Sequence, residues 1–109
     1  MLSDRHMKAS FSDDNLMAML SVGQLPRTAK TLLLLALNEG APKSQRELRA
    51  LAKEIGLAET RRWRFADIFE KLRKEVRLTN RGWALTPAGV RQVEGIPALI
   101  RDMLSQTDK

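Results

Sequence analysis

Apolar and polar positions recur at helical spacing from Ser12 onward. Ser12 supplies a capping hydroxyl, and two aspartates follow it in what would be the first helical turn. Leu16, Met19 and Leu20 then fall on one face, and Gly23 ends the segment. The pattern predicts a short amphipathic helix that buries this face.

A second and more apolar helix is predicted at about residues 27–38. Its apolar side chains have the spacing of a buried stripe and are Ala29, Leu32, Leu33, Ala36 and Leu37. Leu34 and Leu35 widen this stripe, so we expect the helix to be covered from two sides. Gly40 and Pro42 end it, because glycine and proline commonly follow helix C-termini.

Two further helices are predicted before residue 76. Ser44 and Glu47 have the spacing of a capping box, which opens the third helix, and Gly56 ends it. The inner face of this helix would consist of Leu48, Leu51, Ala52 and Ile55. A fourth helix is predicted from residue 58 or 59 to residue 75, with a core face at Phe65, Ile68, Phe69, Leu72 and Val76.

The apolar period then changes from that of a helix to that of a strand. Apolar residues alternate on either side of Asn80-Arg81-Gly82, at Val76, Leu78, Trp83 and Leu85. This pattern predicts a β-hairpin in which Gly82 takes a positive φ. Thr86 and Pro87 start another helix, and a final apolar stripe follows at Ile96, Leu99, Ile100, Met103 and Leu104.

These elements predict one domain that is mostly α-helical with a small β-hairpin. The chain has 109 residues, which is the length of a single domain. We assign residues 12–106 to this domain, with a core at 27–94. Residues 1–11 are assigned to a flexible N-terminus or to vector residues.

The composition argues against catalysis and against a bound metal or cofactor. The sequence has no cysteine, no tyrosine and a single histidine, so nucleophiles and general bases are scarce. His6 has no second ligand with which to bind a metal ion. We therefore expect that the protein is not an enzyme and has no cofactor.

The net charge of +6 is confined to one part of the chain. Residues 1–40 and 96–109 are each balanced, whereas 41–75 carry ten basic and six acidic side chains and 76–95 carry three and one. This distribution indicates either a surface for a polyanion or the ordinary unevenness of a small protein surface.

No segment is predicted to cross a membrane. The leucine-rich run at residues 32–37 is far shorter than the roughly 20 apolar residues that span a bilayer. Asp13 and Asp14 interrupt the region where a signal peptide would be apolar. We expect a cytoplasmic, nucleoid-associated protein.

Two parts of the sequence resemble the winged helix-turn-helix family. The first runs from Ser44-Gln45-Arg46-Glu47-Leu48 through Glu54-Ile55-Gly56-Leu57 to Glu59-Thr60-Arg61-Arg62-Trp63-Arg64, and the second is Arg81-Gly82-Trp83-Ala84-Leu85-Thr86-Pro87-Ala88-Gly89. The resemblance covers residues 27–94 and leaves extra helices at both ends. It implies sequence-specific binding of double-stranded DNA by a transcriptional regulator or a mobile-element accessory factor.

In that family the helix after the glycine turn enters the major groove. The resemblance therefore implies DNA contacts by Ser44, Gln45, Thr60, Arg61, Arg62, Trp63 and Arg64, and by Arg81 in the wing. Arginine suits this role because its guanidinium group binds both guanine and phosphate. The ordinary explanation for three clustered arginines would be a solvated helix end.

The two tryptophans are expected to face opposite ways. Helical geometry places Trp63 about 160° around the fourth helix from Phe65, on the outward side. An exposed tryptophan there requires a covering surface, which could be DNA, a dimer partner or the protein's own end helices. Trp83 lies two residues from Leu85 and is expected to face the core.

The end helices and Trp63 leave two questions of partners open. Apolar side chains of the end helices would form a homodimer or would pack on their own domain: Leu16, Met19, Leu20, Ile96, Ile100 and Met103. The alternative function is a protein-interaction module without DNA binding, because an outward Trp63 beside Asp67 and Glu70 would suit a protein partner.

Overall fold

The computed structural model describes residues 8–106, which form helices and one two-stranded antiparallel hairpin. The helices are α1 (Asp13–Leu20), α2 (Arg27–Ala36), α3 (Gln45–Glu54), α4 (Phe65–Lys71) and α5 (Pro87–Gln106). The hairpin strands are β1 (Val76–Thr79) and β2 (Gly82–Leu85). The predicted class, mostly helical with a small hairpin, is confirmed. His6 and the expectation for residues 1–6 lie outside the described part of the chain.

The leucine-rich helix α2 lies at the centre of the fold. Every residue from Ala29 to Ala36 is buried, and α1, α3, α4 and α5 all contact this helix. Burying one leucine side chain contributes about 2 kcal/mol. The predicted covering of the leucine-rich helix is therefore confirmed, and it explains how a chain of this size obtains its core.

Covering α2 uses most of the apolar side chains that we assigned to a homodimer. Four of the six are at most 9% exposed within a single chain: Leu16, Met19, Leu20 and Ile96. Their assignment to a dimer interface is corrected, because they pack in the core of their own domain. Ile100 and Met103, near the end of α5, are only partly buried.

The predicted helix starts are confirmed by hydrogen bonds. Ser12 Oγ accepts a hydrogen bond from the Asn15 amide at 3.2 Å. Ser44 and Glu47 form the reciprocal capping box, with bonds of 3.1 and 2.7 Å. Thr86 caps α5, which continues through the final apolar stripe as one helix.

Lys43 closes the end of α2. Its ammonium group donates hydrogen bonds to the carbonyls of Leu35, Leu37 and Ala41 at 3.0, 2.6 and 2.8 Å. A helix end leaves its last carbonyls without intrahelical donors, so the ammonium group satisfies this region. Burial lowers the pKa of Lys43 to about 8, against the opposing effect of two nearby carboxylates.

Lys43 also joins the hairpin to the start of α3. Its backbone exchanges hydrogen bonds with Trp83 at 2.9 and 2.7 Å. Gly82 has the predicted positive φ, +127°, and a Cβ there would lie 2.4 Å from the Lys43 carbonyl carbon. The Trp83 ring stacks on Phe69 with centroids 4.1 Å apart, so its predicted inward orientation is confirmed.

The prediction of one continuous helix from residue 58 or 59 to residue 75 is wrong. A 3₁₀ segment at Ala58–Arg62 precedes α4, and the link between them is extended, with ψ of 141° at Trp63 and 96° at Arg64. The predicted outward position of Trp63 is also wrong, because its side chain is 3% exposed. Helical spacing would put Trp63 and Phe65 on opposite sides, whereas the extended link lets both enter the core.

The domain begins before the boundary predicted at residue 12. Ala9 is buried in the core, and Phe11 packs against the same cluster. Ser10 donates from both its amide and its hydroxyl to the Glu94 carboxylate, at 3.3 and 2.7 Å. The assignment to a flexible N-terminus is therefore wrong for residues 9–11.

Candidate nucleic-acid interface

Three arginines project from the segment between α3 and α4. Arg61, Arg62 and Arg64 are exposed, whereas Thr60 and Trp63 are each 3% exposed. The two buried side chains anchor the segment, and the arginines beside them are turned toward solvent. The assignment of Thr60 and Trp63 to DNA contact is corrected, because both side chains are enclosed by the protein.

Arg49 holds this segment in shape from α3. Its guanidinium group donates to the Thr60 carbonyl at 3.0 Å and to the Trp63 carbonyl at 2.7 Å. The same group lies 5.0 Å from the centroid of the Phe65 ring. The Thr60 carbonyl also accepts from the Trp63 amide at 3.0 Å, so Arg49 adds a second donor there and binds the Trp63 carbonyl at the break in the helix. Its charge therefore serves the fold.

An ion pair between a buried lysine and an exposed glutamate fixes the start of the same segment. Lys30 in α2 is 4% exposed and donates to the Glu59 carboxylate at 2.8 Å. This hydrogen bond lowers the pKa of Glu59. Because Lys30 lies on the central helix, the ion pair ties the 3₁₀ segment to the core just before the three arginines.

The indole of Trp63 is covered by neighbours from within the chain. It makes an edge-to-face contact with Phe65, with ring centroids 6.0 Å apart. The guanidinium group of Arg27, in the first turn of α2, lies 5.9 Å from the centroid of the indole. The covering surface is thus the domain itself, and a basic side chain stands on its outer side.

The remaining predicted site residues lie at two other places. The Ser44 hydroxyl is used as the cap of α3, and Gln45 beside it is exposed. Arg81 is exposed in the two-residue hairpin turn, where its amide donates to the Thr79 hydroxyl at 3.1 Å. Gln45 and Arg81 are therefore accessible to a ligand.

Most basic side chains of this region have no acidic partner. Residues 8–106 contain two ion pairs within 4 Å, Lys30 with Glu59 and Arg64 with Asp67. The second pair is weak, because its side chains are 84% and 64% exposed. The exposed basic residues outside these pairs include Arg46, Lys53, Arg61, Arg62, Arg73, Lys74, Arg77 and Arg81. The excess positive charge of residues 41–95 is thus mostly at the surface.

Grooves open on both sides of the arginine segment. A cleft of about 220 Å³ between α2 and α4 is lined by Arg27, Arg62, Arg64 and Lys71, among others. A groove of about 590 Å³ beside α3 combines Arg49, Lys53 and Arg61 with small apolar residues. A wider groove of about 730 Å³ between α2, α4 and α5 has an apolar floor that includes Ala29, Leu32, Leu72 and Ile96.

Other kinds of site and known relatives give no assignment. Residues 8–106 contain no group of three or more His, Cys, Asp or Glu side chains that could hold a metal ion. No helix in this range is long and apolar enough to cross a membrane. Comparisons with protein-family models, with curated proteins and with solved structures found no match to this chain. Function is therefore inferred from the residues of this chain.

Sequence reasoning missed Arg27, Arg49 and Lys71 as parts of this region. Arg27 and Arg49 belong to other helices, and only the folded chain brings them to Trp63. One signal was present, since Arg62-Trp63-Arg64-Phe65 alternates between basic and aromatic residues. An alternation of period two is typical of extended backbone, which is what the link adopts.

Proposed function

We propose that this protein binds double-stranded DNA as a small winged helix-turn-helix protein. In this proposal α3 and residues 58–71 are the helix-turn-helix, and the hairpin is the wing. The observation that carries it is the outward placement of Arg61, Arg62 and Arg64 beside a buried anchor. Guanidinium groups so placed suit both phosphate and guanine.

The order of the elements supports this assignment. α2 is followed by the strand-like pairing at Lys43, then by α3, a glycine turn, α4 and the hairpin. Gly56 in the turn has a φ of +91°. Such a turn lets the second helical segment cross the first and present its start to a major groove. Here the start is a 3₁₀ segment, so arginines at a bend would meet the DNA.

Arg81 and the exposed Gln45 extend the proposed contact. A hairpin with a two-residue turn is too short for deep insertion, so Arg81 would bind a phosphate or the edge of a minor groove. Gln45 lies in the first turn of α3, where an amide side chain can reach a phosphate oxygen.

The biological role we propose is that of a sequence-specific transcriptional regulator or mobile-element accessory factor that acts on DNA in the cytoplasm. A homodimer is part of this proposal, supported by the end of α5. Leu99 there is 39% exposed, and Ile100 and Met103 are partly buried. A symmetric dimer would bind two half-sites separated by about 34 Å, one turn of DNA.

The test is the affinity for duplex DNA as the salt concentration is raised. An interface with about six phosphate contacts should lose roughly 10³-fold in affinity between about 50 and about 200 mM salt. Replacing Arg61, Arg62 and Arg64 together by Ala should abolish binding at the higher salt concentration. It should also reduce the salt slope by about three.

The matched control replaces Lys8, Arg91 and Arg101 by Ala. These exposed residues belong neither to the arginine segment nor to the lining of the adjoining cleft, and their removal lowers the net charge equally. We expect the control variant to bind nearly as wild type does. Equal weakening in both triple variants would show attraction by overall charge and would remove the assignment of the arginine segment.

A protein-interaction module is the second candidate, and the groove of about 730 Å³ is the observation that favours it. Its apolar floor and its rim, which includes Arg91 and Gln92, would suit a helix of a partner protein. Trp63 offers no surface to such a partner, because its side chain is buried. Absence of DNA affinity at low salt, together with concentration-dependent association, would favour this function.

A further inference from the structure

The cleft between α2 and α4 gathers positive charge from separate parts of the chain. Arg27 comes from the first turn of α2, Arg62 and Arg64 flank Trp63, and Lys71 ends α4. One carboxylate, that of Asp67, lines the same cleft and lies 3.5 Å from Arg64. Four basic groups thus face one acidic group in a space of about 220 Å³.

Arg27 occupies a position that helix stability does not favour. A cation in the first turn opposes the helix dipole, and α2 has no acidic residue there to offset it. No carboxylate within residues 8–106 lies within 4 Å of the Arg27 guanidinium group. Its direction is nevertheless defined, because it lies over the buried indole of Trp63. An anion in the cleft would offset the unfavourable charge.

We infer that this cleft binds a phosphate group of the DNA backbone, as a contact additional to the three projecting arginines. The inference rests on the proposed DNA binding and extends it to residues of α2 and α4. A phosphate group has several charged acceptor oxygens, which match guanidinium and ammonium groups that approach from different sides. Arg62 and Arg64 belong to both surfaces, so one bound duplex can engage both.

A contact to the backbone carries no sequence information by itself. Arg27 should therefore contribute similar affinity to every duplex, whereas the projecting arginines also discriminate between sequences. This difference separates the cleft experimentally from the rest of the proposed interface.

Arg27→Ala is tested by equilibrium binding to two duplexes of unrelated sequence over a series of salt concentrations. We expect affinity for both to fall about tenfold and the salt slope to decrease by about one. Arg101→Ala removes an equal charge at the far end of α5 and should leave affinity and slope unchanged. Arg27→Lys keeps the charge and should retain most of the affinity.

Folding is separated from binding by a further variant. Arg27→Met keeps an unbranched stem over Trp63 but removes the charge. A folded Arg27→Met protein with the same loss of affinity supports the phosphate contact. If Arg27→Ala and Arg27→Met bind both duplexes with wild-type affinity and slope, the inference is overturned while DNA binding stands. If wild type itself does not bind DNA at low salt, the proposed function fails first.

A free phosphorylated compound would present the same chemistry to the cleft. Calorimetric titration with inorganic pyrophosphate at constant ionic strength distinguishes the two sources. Absence of binding that depends on Arg27 supports the DNA backbone as the source. Micromolar binding of pyrophosphate that is lost in Arg27→Ala overturns the assignment to DNA and gives the cleft to a small ligand.

Discussion

The hairpin and the arginine segment around Trp63 both present arginine side chains, but they are held by different means. At the hairpin, strand pairing and the close approach of Gly82 to Lys43 place Arg81. Around Trp63, side-chain contacts hold the arginines in position, because the indole enters the core and Arg49 binds the carbonyls of the bend. The hairpin is thus fixed mainly by backbone, and the arginine segment by tertiary contacts.

The difference explains why one region was predicted and the other was not. A hairpin turn is encoded by adjacent residues, and the sequence Asn80-Arg81-Gly82 predicts one here. The bend at Trp63 depends on Arg49, which is 14 residues away in the sequence. We expect the two regions to respond differently to substitution, as follows.

Trp63→Ala should have the largest effect on stability. Truncating a buried tryptophan costs about 3–5 kcal/mol in the free energy of unfolding, and the arginine segment would lose its anchor. Denaturant titration measures this loss. The control on the hairpin is Leu78→Ala, which should change stability by less than about 0.5 kcal/mol because Leu78 is 65% exposed. Similar costs for the two variants would contradict the described anchoring.

Gly82→Ala should come next, at about 2–4 kcal/mol. The new Cβ would meet the backbone of Lys43 and would also strain a residue at φ +127°. Gly56→Ala is the matched control, because Gly56 has φ +91° but no atom within 4 Å of the added Cβ. That control should cost about 1 kcal/mol. Equal losses in thermal or denaturant unfolding would mean that the approach to Lys43 is not close.

The smallest effect concerns pH and Lys43. Its pKa is lowered from 10.5 to about 8 in the folded protein, so the unfolded chain holds the proton more tightly. Stability should therefore rise as pH increases from about 8 toward 10.5. Relative to Lys43→Met, wild type should gain about 1–2 kcal/mol between about pH 7 and about pH 9.5. A flat or falling difference would contradict the sign.

Local signals were sufficient for much of the fold. The caps at Ser12, Ser44 and Thr86 and the turn at Gly82 each depend on neighbouring residues, and the structure contains all four. The leucine-rich stripe likewise predicted a helix that is covered from two sides, which is α2. These features are local or periodic, so a single sequence carries them.

The candidate site was predicted only in part. The exposed arginines were identified, but Thr60 and Trp63 were placed on the wrong side, because periodicity was extended through a bend. The internal use of Lys43 and Arg49 could not be seen either, since their partners are backbone carbonyls. A carbonyl is present at every residue, so its pairing leaves no mark on the sequence.

The two ends of α5 differ in how firmly they are held beside the hairpin. α5 has 20 residues and is about 30 Å long. Its first turn packs against the residue just before β1. A Cβ at Gly89 would lie 2.2 Å from the Glu75 carbonyl oxygen, so no space remains for a side chain between the start of α5 and the backbone at Glu75. The start of α5 is therefore packed tightly against the residue that precedes the hairpin, whereas Pro97 removes one backbone hydrogen bond from the middle of the helix. Bending of α5 should therefore be easier near Pro97 than at its packed first turn.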